Sequence, residues 1–273
     1  MKYSAGVIYN KTKPNAKKLA DSIAAWLKAE KCRVFVSDSH SVKAKKADFI
    51  LSIGGDGTML KTIRTFSPLS VPIKGINIGS LGFLADTDTN EIFSLLKNIL
   101  KYGISVEKRV LLAAEFEYQG KKIKTAAAND CVIRSLSGGN LITVDMSIDK
   151  KRTARYKCDG MITATPTGST AYSLAASGPI VYPNLPVFIV TPISPHTLAQ
   201  RPMILSVKNT ITFCAKNKNN AGKILVSIDG QDNFVLPNGA TIKLSLYKKP
   251  MKLIKNRSKS YFETLNKKLH WGV

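Results

Sequence analysis

An α/β N-terminal domain with a parallel sheet, followed by a β-rich C-terminal domain, is the fold class that this sequence predicts, and three observations predict it. Strand-like and helix-like segments alternate through roughly the first hundred residues. One of those strands, "DFILSI" at 48–53, is a near-continuous apolar run, the pattern of a strand covered on both faces. Beyond about residue 103 the apolar period drops to two, and Gly, Asn and Pro punctuate short β-rich segments.

The elements follow in order. "SAGVIY" is the first strand. After a Pro-Asn start, Leu19, Ile23, Trp26 and Leu27 recur at helical spacing and predict an amphipathic helix. "CRVFVSD" is the second strand and "DFILSI" the third, followed by a short helix in "TMLKTIRTF", a strand in "PIKGINI" and a helix in "TNEIFSLLKNILKYG". This βαβα order calls for a parallel sheet with helices on both sides. Farther on, Ile142, Val144, Met146 and Ile148 alternate with polar partners, as do Ile242, Leu244 and Leu246, so each set reads as the inner face of a half-buried strand. The last residues, "SYFETLNKKLHWGV", are helical again, and neither an internal repeat nor a low-complexity linker is visible.

Composition excludes several classes. With 44% hydrophobic and 22% charged residues, the chain has the profile of a soluble globular protein. No run approaches the roughly 18 apolar residues of a membrane span. "MKYSAGVIYNKTKPN" suits a first strand better than a signal peptide, so a cytoplasmic protein with no membrane partner is expected. Cys32, Cys131, Cys158 and Cys214 lie far apart with no CxxC pair, which suggests reduced thiols, and with only His40, His196 and His270 a histidine-rich metal centre is not expected. The net charge of +23 suggests nucleic acid, yet 33 of the 41 basic residues are lysine and they are dispersed. Clusters such as "KAKK" and "YKKPMKLIKNRSKSY" lack the arginine and aromatic interleaving of a base-reading surface. A solvated lysine-biased surface that attracts small anions, with no specific nucleic-acid partner, is the reading taken.

Three constellations carry chemistry. In "ILSIGGDGTMLK" a glycine-rich turn joins a buried strand to a helix, where bare N–H groups and a positive helix end make a phosphate seat. An Asp-Gly turn alone would account for part of it. It is neither GxxxxGK[ST] nor GxGxxG, and Asp56 at its centre would either help hold a divalent cation or take a proton from an attacking hydroxyl. In "CDGMITATPTGSTAYSLAASGP" the hydroxyls of Thr165, Thr167, Ser169 and Thr170 crowd a turn and are candidates for phosphate or sugar contacts, although threonines are common in β-rich turns and Tyr172 could belong to the core. In "AAANDCVI" an amide stands beside a carboxylate, which suits a nucleoside, although the dipeptide alone is as well explained by a plain turn.

"GGDGT", "GINIGSLGFL", "AND", "CDGMITATPTGSTAYSLAASGP", "TPISPHTLAQRP" and "SIDGQ" occur in the order and spacing of the NAD kinase family, which the chain resembles over about residues 48 to 231. "GGDGT" is shared with lipid and sugar kinases of the same superfamily, whereas "TPTGSTAY" with "LGFL" is far more specific. The resemblance implies an α/β domain over 1–103 that carries the GGDGT loop, a β-rich NAD-binding domain over 104–250, and a segment from about 251 to 273 that returns to the first. It implies phosphoryl transfer from ATP to the 2'-hydroxyl of the adenosine ribose of NAD, in a homodimer or homotetramer. The divalent cation, Mg2+, would be bound mainly through the ATP phosphates, with no metal-ligand set of the protein's own.

Carried over by motif, Asp56 is the proton acceptor, Gly57 a ligand contact, and Phe83 lies against the adenine. Gly54, Gly55 and Thr58 face the donor phosphates, which Arg64 either reaches or leaves for a surface role. Asn129, Asp130, Lys157, Asp159, the turn of Thr170, Ala171, Tyr172, Ser173, Leu174 and Ala175, and Gln231 hold NAD. Two positions depart from the family pattern. Ile78 follows the asparagine of "GIN" where members often carry Arg or Thr, which puts a phosphate contact there in doubt, and Lys157 replaces an arginine, keeping the charge but losing the planar fork. The rival readings are a lipid or sphingoid kinase, against which the polar blocks speak, and a basic nucleic-acid-binding module.

Overall fold

The computed structural model describes residues 3–38, 46–79, 82–137, 141–197, 199–217, 222–255 and 260–272. His40, Leu81 of "LGFL", and parts of the two lysine clusters lie outside the described residues. The chain divides into two compact units, Met1–Lys108 with Met251–Val273, and Arg109–Pro250.

The first unit runs through β1 (Ser4–Tyr9), α1 (Ala16–Ala29), β2 (Arg33–Ser37), β3 (Phe49–Gly54), α2 (Asp56–Phe66), β4 (Ile73–Asn77), α3 (Ile92–Tyr102) and β5 (Val106–Arg109). The second holds β6 (Leu112–Tyr118), β7 (Lys121–Ala127), β8 (Asp130–Ser135), β9 (Ile142–Ile148), β10 (Lys151–Cys158) and β11 (Gly160–Ala164). It continues with a one-turn helix α4 (Tyr172–Ala175), β12 (Val187–Ile193), β13 (Met203–Ser206), β14 (Ile211–Asn217), β15 (Ile224–Ile228), β16 (Asp232–Leu236) and β17 (Thr241–Leu246). The chain then re-enters the first unit with β18 (Met251–Ile254) and α5 (Tyr261–Leu269).

In the first unit the sheet order is β2-β1-β3-β4-β18-β5, and the pairs β1–β2, β1–β3, β3–β4 and β4–β18 are parallel. Every residue of β3 is buried, because helices cover both faces. Phe49, Leu51 and Ile53 point into one core with Ile23 and Leu27 of α1 and Leu96 and Ile99 of α3. Ser52 points the other way and meets Thr62 of α2, hydroxyl to hydroxyl, at 2.9 Å. Of the helical stripe read from the sequence, Ile23 and Leu27 are fully buried, while Leu19 and Trp26 pack at its edge, Trp26 edge-on to Phe93.

Two antiparallel sheets make the second unit, ordered β10-β9-β14-β17-β6-β7 and β13-β12-β11-β8-β15-β16. Between them lies a core to which Val144, Met146, Phe213 and Ile242 come from one sheet and Cys131, Ile133, Met161 and Phe188 from the other. The second of these sheets is covered on its outer face too, where Val132, Ile162, Ala164 and Ile189 join Val181. The alternating strands of the sequence belong to the first sheet, but Leu246 is 44% exposed. It is the last residue of β17, paired with Leu112 at the strand end, where alternation no longer implies cover.

Candidate active site

β3 ends on Gly54, Gly55 is extended, and Asp56 is the first residue of α2, so its negative charge meets the positive helix end. Its carboxylate is held from the other side. The N–H of Phe83 donates to Oδ2 at 2.9 Å, and those of Leu84 and Ala85 donate to Oδ1 at 3.0 Å each. Gly82 permits this approach, since a side chain there would run into Oδ1 of Asp56. Asp56 and the "GFL" segment, read from the sequence as separate motifs, are therefore one construction. A carboxylate offers about four lone-pair directions, two on each oxygen. Both of those on Oδ1 are occupied, and one on Oδ2 stays open, with 32% of the side chain exposed.

The Thr58 hydroxyl packs against Gly54 and accepts a hydrogen bond from Asn10 Nδ2 at 3.2 Å, which ties the end of β1 to the glycine-rich loop. Gly55 has open space around it and Gly57 is exposed, as a loop that admits a bulky anion requires. Arg64 is partly buried in the last turn of α2, about 12 Å along the helix axis from Asp56. Ile78 lines a separate pocket with Asn15, Lys18 and Asn77.

In the second unit the turn before β8 is built around another carboxylate. Asp229 accepts the N–H groups of Ala128 (3.0 Å), Asn129 (2.7 Å) and Asp130 (3.1 Å), while its own N–H donates to the Asp130 carbonyl at 2.9 Å. Asp229 and Gly230 both have positive φ, 51° and 65°, which is the Asp-Gly hairpin turn between β15 and β16. The "TPTGST" turn is bonded to the same place. Thr165 Oγ1 donates to the Ala128 carbonyl at 2.5 Å and accepts the Gly168 N–H, and a side chain on Gly168 would collide with the Asn129 backbone. The hydroxyls of Thr165 and Ser169 are thus engaged in holding the turn, Ser169 with Pro166 and Val181. Ser173 is buried and bonded to Thr191, whereas Tyr172 is 43% exposed and is not a core residue.

Two groups at this turn are not satisfied. The Oδ1 atom of Asn129 is buried and has no hydrogen-bond partner. Asp130 is only 4% exposed, and burial, with the charge of Asp229 second, pushes its carboxyl up to about 7. Gln231 follows the hairpin turn on the same side. Lys157 and Asp159 are exposed at the opposite end of β11, which pairs Ala164 with Asp130 and Gly160 with Arg134. Five residues of strand put Asp159 about 16 Å from Asp130. The "TPISPHTLAQRP" block adjoins that far end, where the His196 N–H donates to the Lys157 carbonyl at 2.8 Å.

Sequence reasoning missed Asp229 and Lys268. Asp229 carried a signal, an Asp-Gly pair after the apolar run "ILVSI". The Nζ of Lys268, in the last turn of α5, is 3.9 Å from Oδ2 of Asp56 and 5.1 Å from the centre of the Phe83 ring. Nothing local in the sequence marks it. The thiols of Cys158 and Cys131 are poor candidates, since burial pushes Cys158 up to about 12 and Cys131 higher still.

A glycine-rich loop that carries an acid and no lysine, at the end of a buried parallel strand, is the site of a phosphotransferase by the family matches that follow. Residues 38–104 match the family model of the ATP-NAD kinase N-terminal domain and residues 128–256 that of the C-terminal domain. The chain belongs to the ATP-NAD kinase family. It is 34% identical to the NAD kinase of Geotalea daltonii, covering 95% of each chain. To that of Natranaerobius thermophilus it is 37% identical, over 86% of this chain and 82% of the other. A crystal structure of an NAD kinase from Archaeoglobus fulgidus in complex with ATP superposes with a TM-score of 0.82 at 28% identity, covering 98% of both chains. Yeast NADH kinase complexed with NADH shares the fold at a TM-score of 0.87 and 23% identity, covering 99% of this chain and 88% of that one.

Proposed function

We propose that this chain is an NAD kinase that transfers the γ-phosphoryl group of ATP to the 2'-hydroxyl of the adenosine ribose of NAD. The observation that carries the mechanism is the state of the Asp56 carboxylate, aimed by three backbone N–H groups with one lone pair of Oδ2 open. Oδ2 accepts the hydroxyl proton as the ribose oxygen bonds to phosphorus and the bond to the β–γ bridging oxygen breaks, releasing ADP. Gly54, Gly55, Gly57 and Thr58 keep the loop open to the phosphates, and Phe83 offers the adenine a ring face.

Asn129, with its buried amide oxygen lacking a partner, and Asp130, whose carboxyl lacks a hydrogen-bond partner among the described residues, receive the adenosine. Lys157 and Asp159 meet the other end of an extended dinucleotide, and the 170–175 turn and Gln231 complete the contacts. The Mg2+ expected with ATP would be carried mainly by the phosphates, and Asp56, at the glycine-rich loop, is the carboxylate that would face it. When bound it offsets the repulsion between phosphate anions and Asp56. A cytoplasmic homodimer or homotetramer without a specific nucleic-acid partner completes the reading. Among the described residues no helix is long and apolar enough to cross a membrane.

Incubation with NAD, ATP and Mg2+ and assay for NADP tests the proposal directly. Failure to form NADP, with phosphorylation of a diacylglycerol or sphingoid base instead, would replace it with the lipid-kinase reading.

A further inference from the structure

We propose that Lys268, supplied by the C-terminal helix, is a further catalytic residue, whose ammonium contacts the phosphoryl group in transit. This rests on the role given to Asp56 above. Three features of its placement support it. At 3.9 Å the ammonium is too far from Oδ2 for a hydrogen bond, so its N–H donors are not consumed by the carboxylate. Nor is it needed to aim Asp56, which the N–H groups of residues 83–85 already do. Finally, among the described residues it has no hydrogen bond, ion pair or ring contact other than this ion pair and the Phe83 ring face.

The side of Asp56 matters. Lys268 approaches Oδ2, the oxygen with the open lone pair, and not Oδ1. A hydroxyl bonded there lies about 2.7 Å from Oδ2, and the phosphorus it attacks about 3–3.5 Å beyond. An ammonium on a four-carbon stem, anchored on the aromatic face, reaches an equatorial oxygen of that group. The chemistry needs such a charge, because the transferring phosphoryl spreads its negative charge over three oxygens. P-loop enzymes meet the need with a lysine in the loop, and "GGDGT" has none. In the balanced step the ribose oxygen gains the bond to phosphorus, the bridging oxygen of ATP loses it, the proton goes to Asp56, and Lys268 keeps its own protons throughout.

The helix is built to hold the residue. Ser260 and Glu263 form a capping box, with bonds of 3.2 and 3.0 Å that satisfy the first turn of a helix only nine residues long. Tyr261 in that turn lies 6.5 Å from Phe83, centre to centre, so the same helix touches the ring at both ends.

The test is steady-state kinetics on K268M, K268R and K268A beside K267M, a charge-removing control at the exposed neighbour. K268M should lose about 100-fold in kcat, as for removal of one transition-state donor, with the NAD KM within about threefold. K268R should recover part of the loss, ethylammonium should restore K268A saturably, and K267M should stay within about twofold. A kcat for K268M within twofold of the parent would overturn the proposal. So would a loss carried by the NAD KM alone, or a defect that ethylammonium leaves untouched in a variant that melts like the parent. Should K268M not fold, K268R and amine rescue of K268A decide the matter. Asp56→Asn separates the two readings: a dead D56N with a fully active K268M removes only Lys268, whereas an active D56N removes the proton-acceptor role itself.

Discussion

Asp56 in the α/β unit and Asp229 in the β unit each accept three backbone N–H groups, from residues 83–85 in one case and 128–130 in the other. Both follow the last residue of a buried strand within two positions, and both stand next to a glycine. Their surroundings differ. Asp229 is 7% exposed, and what it holds is the turn that presents Asn129 and Asp130. Asp56 keeps about a third of its side chain open, with a lysine beside the free lone pair of Oδ2. The same hydrogen-bonding device therefore holds a turn where the carboxylate is buried, and where one lone pair remains accessible it leaves a carboxylate free for the proton-accepting role proposed for Asp56. Exposure, not bonding, divides the two roles.

The largest effect is expected at the buried member. Asp229→Ala leaves three N–H groups without their acceptor in a site closed to water, and should destabilise the chain by about 3–5 kcal/mol in denaturant unfolding. If stability changed by less than about 1 kcal/mol, the scaffold role would be lost. Asp56→Asn should reduce kcat by about 100-fold or more, since the amide cannot take the proton. Its cost in stability should be smaller than that of Asp229→Ala, because water can reach the freed donors; equal costs would erase the contrast drawn above.

A pH dependence comes next. With its carboxyl raised to about 7 by burial and then by Asp229, Asp130 is half protonated near neutrality in the free protein. Only the carboxylate can accept two ribose hydroxyls, so the NAD KM should fall as pH rises through about 7, by roughly tenfold between pH 6 and 8. The stability sign is opposite. The folded chain binds this proton more tightly than the unfolded one, so stability declines from about pH 4 to about 7 as the group ionises. Asp130→Asn should flatten both profiles, and an NAD KM that stayed pH-independent in the parent would separate Asp130 from the ribose.

Asn129→Ala should give the smallest change. Its Oδ1 has no partner to lose, so unfolding should be unaffected, while the NAD KM rises by several-fold to about tenfold and the ATP KM stays put. A rise in the ATP KM with a constant NAD KM would transfer this turn to the donor site.

Much of the architecture is present in local pattern alone. The apolar run of β3, the helical stripe of α1 and the alternation in β9 report burial directly, because each residue's neighbours along the chain set which face it occupies. The glycine-rich loop and the Asn-Asp turn are legible for a similar reason, since unusual backbone demands concentrate Gly, Asp and Asn in short stretches. That the hydroxyls of Thr165 and Ser169 brace their turn, by contrast, depends on backbone 37 and 12 residues away, which no local pattern announces. Leu246 has the right parity for the core and lies past its edge. Asp56 is joined to residues 27 to 29 positions later and approached by a lysine at the far end of the chain. Local composition determined that there would be a carboxylate in a glycine-rich loop between a buried strand and a helix. Which of its lone pairs stays open, and which cation stands beside it, is a matter of long-range approach in space, and no periodicity or motif encodes that distance.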